Sequence, residues 1–410
     1  MEPALGWTLL SRDAIRRAEA RLREDTRGVR DEIGFLFLHQ AYSDRFFPGT
    51  SVQQTRLRYA LFVPWIYEKI CDLDAQRRRQ QPIEKLVLDE EVRLTGRLLG
   101  SGERDGVIGQ RVWPQRRASS QPASMVYWTA LGAWGILRRL EDESLPSRTA
   151  VHRMLAKDWR RGRIRDEEGA PIEEGHNLFV AVPKPPDGWK NQPAPITFKL
   201  TEEEYLFLKR QILTTRRQHT AEPSLFARLA ETPAAIQSAK NPWDRAVSAM
   251  ADQDDKQALS RARRAAAISV IGRAVYAYLV EELRDCRDQI STSDRHRTFL
   301  ATVLQRYQKD ALDLDIPAMT KDALTLPGFF VTVLEETQCW LRDPVEPKKL
   351  LDLYAATERR RKGNRARLVS TPIGRQRRAE WNNEEHTLAE ALHYRWGRVH
   401  RMLCDLEEHV

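Results

Sequence analysis

The sequence predicts a mainly α-helical protein: multi-helix N- and C-terminal units joined by a small mixed α/β middle segment of winged-helix-like pattern. Three observations predict it. Apolar residues recur at helical spacing, most clearly Ile268, Ile271, Val275, Leu279, Leu283, Cys286 and Ile290, a stripe ~33 Å long at 1.5 Å per residue. Good helix formers (Ala, Leu, Arg, Glu) are abundant throughout. Strand-like runs are few and short.

In chain order, helical periodicity appears first at Ala14–Leu22 and Leu57–Ile70. A helix over Met125–Leu137 follows, ended by the polar break Glu141–Ser147, and Ser147 is an apt N-cap for a helix from Arg148. The β-branched runs Asn177–Val182 and Ile196–Leu200 read as strands, separated by the five-proline stretch Pro183–Pro195. Thr201 then caps a helix, and Glu204, three residues on, completes a capping box. Along the central stripe Glu281, Arg284 and Asp285 lie off the apolar face, where solvent belongs. Further helices are expected over Leu300–Tyr307, Phe329–Leu341 and Leu388–Leu406. The chain divides into a helical unit over residues 1–143, a mixed segment over 144–200, and a helical unit over 201–410 carrying a basic loop at 359–378.

A length of 410 residues allows two or three units, each with a core of its own. The formal charge is +9 and the pI ≈ 9.4, an excess that matters only where it clusters. Arginine outnumbers lysine, which suits forked contacts to phosphate or carboxylate and equally suits a GC-rich genome. Cys71, Cys286, Cys339 and Cys404 are too scattered for a disulfide framework or a zinc knuckle. No secretory signal and no apolar run of ~20 residues is seen, so a cytoplasmic chain with no membrane contact is expected.

Four constellations carry candidate chemistry. Phe47-Pro-Gly-Thr-Ser51 favours a tight turn, with Ser51 placed to cap a helix carrying Gln53, Arg56 and Tyr59. It reads either as an anion-holding helix start or as a turn locking two helices over a core of Phe46, Phe47, Leu61, Phe62 and Trp65. The helix from Arg148 turns Val151, Met154, Leu155 and Trp159 inward and leaves Arg148, Thr149, His152 and Arg153 outward, as on a recognition helix; Arg160, Arg161, Arg163 and Arg165 follow. The rival reading is an ordinary helical hairpin with a basic flank.

The third constellation is the densest. Arg359, Arg360, Arg361, Lys362, Arg365, Arg367, Arg375, Arg377 and Arg378 fall in residues 359–378 without one acid, and Gly363 and Pro372 interrupt any continuous helix. Such charges repel one another, and a polyanion relieves the repulsion with counterion release; pairing with acids elsewhere in the fold relieves it equally. Fourth, His386, His393 and His400 recur by sevens with Cys404 four beyond, but positions seven apart lie ~10 Å apart on a helix, too far for one ion. No metal or other cofactor is called for. No catalytic motif is present, so no catalytic residue is assigned, and the question of an enzyme stays open with the balance against it.

An ordered set of landmarks spans most of the chain: Gly6-Trp7, the run Phe47–Tyr59, Val63-Pro-Trp65, Gly106–Gly109, Ala123–Trp128, Trp134-Gly-Ile136, Arg361–Leu368, Trp381, His393-Tyr-Arg-Trp396 and Asp405. This set resembles a bacterial family known only as domain of unknown function 6361. The resemblance implies a bacterial protein often encoded among restriction and anti-phage genes, beside helicases or nucleases, and supplies no catalytic residue.

Together these features lead to the expectation of a nucleic-acid-binding accessory subunit of a bacterial defence or DNA-processing system. The defence context rests on the resemblance alone. Arg359–Arg367 and Arg375–Arg378 would grip the phosphate backbone of DNA, and the Arg148–Arg153 helix would add modest readout. Its partner would be a helicase, ATPase or nuclease of the same system. Two rivals remain: a protein–protein scaffold, and an effector nuclease with a composite acidic site.

Overall fold

The computed structural model describes residues 31–73, 80–156, 178–189, 196–322, 326–382 and 384–408. Its first helices are α1 (Leu36–Phe46), α2 (Tyr59–Cys71), α3 (Ile83–Gly100), α4 (Ala123–Ala133) and α5 (Arg148–Ala156). Next come α6 (Glu202–Leu213), α7 (Leu225–Glu231), α8 (Arg245–Met250), α9 (Gln253–Glu282) and α10 (Arg295–Leu312). The chain ends with α11 (Ile316–Asp322), α12 (Gly328–Trp340), α13 (Leu351–Lys362), α14 (Pro372–Ala379) and α15 (Trp396–Glu407). Among the described residues, β-pairing is confined to two isolated bridges, Leu137 with Phe179 and Arg216 with Pro223.

The mainly helical expectation therefore holds, and the small mixed segment with a wing is corrected. Leu178–Val180 lies against Ile136–Leu137 through Arg138 N–H to Leu178 O (2.9 Å) and Val180 N–H to Ile136 O (2.9 Å), and no ladder forms on either side. Ile196, Phe198 and Leu200 are buried instead as side chains against the helices. A two-residue contact satisfies the local backbone, and Pro183, which has no N–H, prevents its extension. Gly6-Trp7, Ala14–Leu22, Trp159, the arginines from Arg160 to Arg165 and Asn177 lie outside the described residues.

The 30-residue α9 is the axis. Asp252 caps it, accepting Asp255 N–H at 2.8 Å. Its apolar residues are buried on nearly every side, Ala258, Ala262, Ala265 and Ala266 together with Ile268, Ile271, Val275 and Leu279. The aromatic ring of Phe35 packs directly over Gly272, where no side chain would fit. The predicted solvated face is corrected here: Glu281 and Arg284 are buried. Glu281 accepts Arg297 N–H at 2.8 Å, while Arg284 donates to Trp381 O and lies 5.6 Å over its ring. A π-turn, Leu283–Arg287, ends the helix before Ile290, so the apolar stripe stops short of its predicted end. Buried apolar residues form one cluster running from Ile33 to Leu406.

Candidate functional site

The run Phe47–Trp65 makes the tight turn its Pro-Gly step predicts. Gly49 sits at φ +79°, a conformation open to glycine, and a Cβ there would meet the Ala133 Cβ at 2.7 Å. The helix begins only at Tyr59, without a side-chain cap, so Ser51, Gln53 and Arg56 precede it. The anion-holding start is thereby corrected: the N–H groups of Thr55 and Arg56 are taken by the Tyr127 hydroxyl (2.9 and 3.0 Å) and that of Leu57 by the Asp405 carboxylate (2.7 Å). Both arginines of the run are spoken for. Arg56 Nε bonds Asp405 at 2.9 Å; Arg58 reaches Glu204 at 2.7 Å and Thr197 O at 2.8 Å. Burial pushes the Asp405 carboxyl up to about 6 despite these donors. Phe46, Phe47, Leu61, Phe62 and Trp65 are all core. This run is a structural knot joining α2 to α4, α6 and α15.

The arginine-rich stretch splits into two sets. The paired set turns inward, except for Arg377, whose pair lies at the surface. Arg378 and Asp288 form a buried two-pronged pair (Nε–Oδ2 2.6 Å, Nη2–Oδ1 2.9 Å), and Arg378 also donates to the carbonyls of Arg367 and Val369. Arg361 pairs with Asp31 at 2.8 Å and lies 4.6 Å over the Phe37 ring. Arg367 reaches Glu32 and the Tyr276 hydroxyl, each at 3.5 Å, in a network where Glu358 accepts from Tyr276 (2.6 Å), Arg367 N–H and Leu368 N–H. Arg377 pairs with Glu380 at 2.8 Å.

The outward set is Arg359, Arg360, Arg365 and Arg375, all exposed, with Lys362 half-buried. Arg360 stacks 4.4 Å over Phe329, and Arg375 donates to the Asp288 carbonyl at 3.4 Å. Among the described residues, Arg359 and Arg365 have no ion-pair partner. Helical α13 and α14 carry most of the stretch, so the loop expected over 359–378 is reduced to the bend between them.

The second predicted site is α5. Ser147 Oγ accepts Ala150 N–H at 3.1 Å, the expected cap. Val151 and Leu155 are buried and Thr149 and Arg153 exposed, as the periodicity predicts. His152 instead turns inward onto the Tyr67 hydroxyl at 2.7 Å, and burial lowers its pKa to about 4. Arg148 reaches Glu84 at 3.4 Å.

The histidine ladder does not share a helix. α15 starts at Trp396, after His386 and His393. His386 packs against His296 and Trp381 (5.3 and 5.2 Å between rings), and His400 reaches the Ile236 and Gln237 carbonyls. Glu91, which the sequence does not single out, is buried and pushed up to about 7, but its oxygens accept Ala123 N–H and Ser124 N–H at the start of α4, a structural employment.

A groove of about 1200 Å³ opens between α1, Ser51–Gln53 and the stretch Thr387–Arg398. Among the described residues its charged lining is Lys240, Arg273, Arg395 and Arg398 against the single acid Glu390. Leu36, Val52 and Leu392 supply apolar wall, and His39 faces His393 with ring centroids 5.4 Å apart. Burial and the neighbouring cations drive the His39 pKa down to about 3. No sequence motif announces this groove, because its described lining comes from five separate stretches of chain. One of them, Ser51–Gln53, belongs to the run Phe47–Tyr59 singled out in the sequence.

Fold and surface together define a helical protein that carries cations outside any ion pair at several places among its described residues, including the outer face of α13–α14 and one groove. The chain belongs to the family of unknown function DUF6361, whose model matches residues 4–297. The landmarks from Arg361 onward, and the arginine-rich stretch with them, lie beyond the matched span. No curated protein and no solved structure matches the chain. Among the described residues no helix is long and apolar enough to cross a membrane.

Proposed function

We propose that this protein is a nucleic-acid-binding accessory subunit of a bacterial defence or DNA-processing system, working in the cytoplasm and presenting DNA to a helicase, ATPase or nuclease. The observation that carries the binding part is the outward set Arg359, Arg360, Arg365 and Arg375: four exposed guanidiniums within seventeen residues that contain no acid. Four such groups, each on a phosphate, give a salt slope near −3.6 on duplex DNA, or roughly a 100-fold loss of affinity between 50 and 200 mM salt. Thr149 and Arg153, the outward residues of α5, are the pair available for readout there. No wing is required for this role.

The test is fluorescence anisotropy of labelled duplex and single-stranded DNA across a salt series, with magnesium and without. Tight binding that weakens steeply with salt and leaves the DNA intact supports the reading. Absence of binding at low salt overturns it in favour of a scaffold, and magnesium-dependent cleavage overturns it in favour of an effector nuclease.

A further inference from the structure

We propose that the groove beside α1 is the channel for a single nucleic-acid strand, with Lys240, Arg273 and Arg398 receiving its phosphates. The inference rests on the nucleic-acid reading above and names where, and in what form, the polymer is held. Among the described residues four cations face one carboxylate there, and their charges are unequally neutralised. Arg395 is bound to Asp44 and to Thr50 O, each at 2.6 Å, and so belongs to the framework. Arg398 donates instead to the Val52 carbonyl (3.1 Å), which orients its guanidinium without cancelling its charge, while Arg273 donates to the Glu390 carbonyl (3.0 Å) and lies in the partial field of Asp31, Glu32 and Glu390. Among the described residues, neither they nor Lys240 has an ion-pair partner.

The groove also holds an unmet polar atom. His39 Nε2 is buried without a hydrogen-bond partner among the described residues, the kind of orphan that marks a place for an absent group. The wall next to α15 is built on strained backbone: Tyr394 (φ 49°) and Arg395 (φ 63°) are consecutive left-handed residues, pinned by Tyr394 OH to Ala262 O at 2.7 Å and by the Arg395 bonds. That bend puts His393 before it and Arg398 after it on the same groove.

Size and lining select the occupant. A volume of about 1200 Å³ exceeds the ~300–1,000 Å³ typical of small-molecule pockets. Cations alternating with apolar surface (Leu36, Val52, Leu392) suit phosphates and unpaired bases, as strand-binding grooves do. A duplex keeps its bases covered and gains nothing from the apolar wall, so the outward arginines of α13–α14 are left to meet duplex.

The test compares a labelled single-stranded DNA of about twelve nucleotides, a duplex of the same sequence and a nucleoside monophosphate as competitor. Wild type is set against Lys240→Glu/Arg398→Glu and Arg359→Ala/Arg365→Ala, with Lys240→Gln/Arg398→Gln as the milder groove variant should the charge reversal disturb folding. The expected result is single-strand affinity at least ten-fold weaker in the groove variants, a salt slope lower by ~1.4 for two lost phosphates, and duplex affinity within two-fold of wild type. Single-strand binding indifferent to the groove changes but lost in Arg359→Ala/Arg365→Ala overturns the channel and leaves the nucleic-acid reading standing. Competition by the monophosphate at concentrations comparable to the strand overturns the strand assignment in favour of a nucleotide site. A wild-type protein that binds neither polymer removes the nucleic-acid reading and the channel with it.

Discussion

Replacing Arg378 with methionine separates a structural arginine from a binding one. Arg378 is among the largest fully buried side chains of the protein, and Asp288 beneath it is 4% exposed. The change removes both prongs of the pair and leaves the Asp288 carboxylate buried beside two carbonyls, those of Arg367 and Val369, that have lost their shared donor. Breaking a buried pair from one side costs about 3–5 kcal/mol, because the remaining charge is desolvated and uncompensated. The pair holds the Asp288 carboxyl below its usual range, chiefly through the Arg378 hydrogen bonds. That contribution is present above the unfolded carboxylate pKa of ~3.9 and fades as pH falls through the lower, folded value. In the variant Asp288 is expected to titrate higher and to escape its penalty by taking a proton, so the deficit shrinks between about pH 7 and pH 4. Urea unfolding followed by tryptophan fluorescence reads both effects, and Arg378→Met/Asp288→Leu recovers most of the loss. A cost under ~1 kcal/mol at neutral pH, the value of a surface pair, refutes the clasp.

Three further outcomes follow from the same geometry. His39→Gln tests burial at the groove: His39 stays neutral in the fold down to about 3, whereas the unfolded chain takes up its proton near 6.5. Wild type therefore loses about 2 kcal/mol more than His39→Gln between about pH 7.5 and pH 5, read as the shift in urea midpoint; equal losses contradict it. Gly272→Ala should destabilise although helix propensity alone favours alanine by about 1 kcal/mol, since the new Cβ falls 1.9 Å from Phe35 Cζ and overpacking costs ~1–3 kcal/mol; a raised melting temperature contradicts it. Thr201→Ala should cost about 1 kcal/mol by opening the capping box at α6, where Glu204 N–H bonds Thr201 Oγ1 at 3.3 Å, and Thr201→Ser should restore it.

Local rules were read well from the sequence. Thr201 with Glu204, Ser147 at α5, the Pro48-Gly49 turn and the helices expected over Leu300–Tyr307 and Phe329–Leu341 depend on neighbours within four residues; all appear, the last ending one residue early at Trp340. Errors arose where distant partners decide. Glu281 and Arg284 look solvent-facing from periodicity, yet Arg297 and Trp381 make their burial tolerable. His386 and His393 continue a helical spacing, yet the helix starts after the left-handed step at Tyr394–Arg395. Charge density located the arginine stretch correctly but not its division: the acids that claim Arg361, Arg367 and Arg378 stand at positions 31, 32 and 288. The groove was illegible for the same reason, its cations coming from positions 240, 273, 395 and 398.

The decisive experiment is a paired measurement on Arg359→Ala/Arg365→Ala: duplex-DNA affinity near 100 mM salt and urea midpoint, both beside wild type. If the outward arginines grip phosphate, affinity falls at least ten-fold, the salt slope drops by ~1.8 for two lost contacts, and the midpoint stays put. Unchanged affinity, or a lowered midpoint that accounts for any loss of binding, contradicts the division of this stretch into an inner clasp and an outer grip.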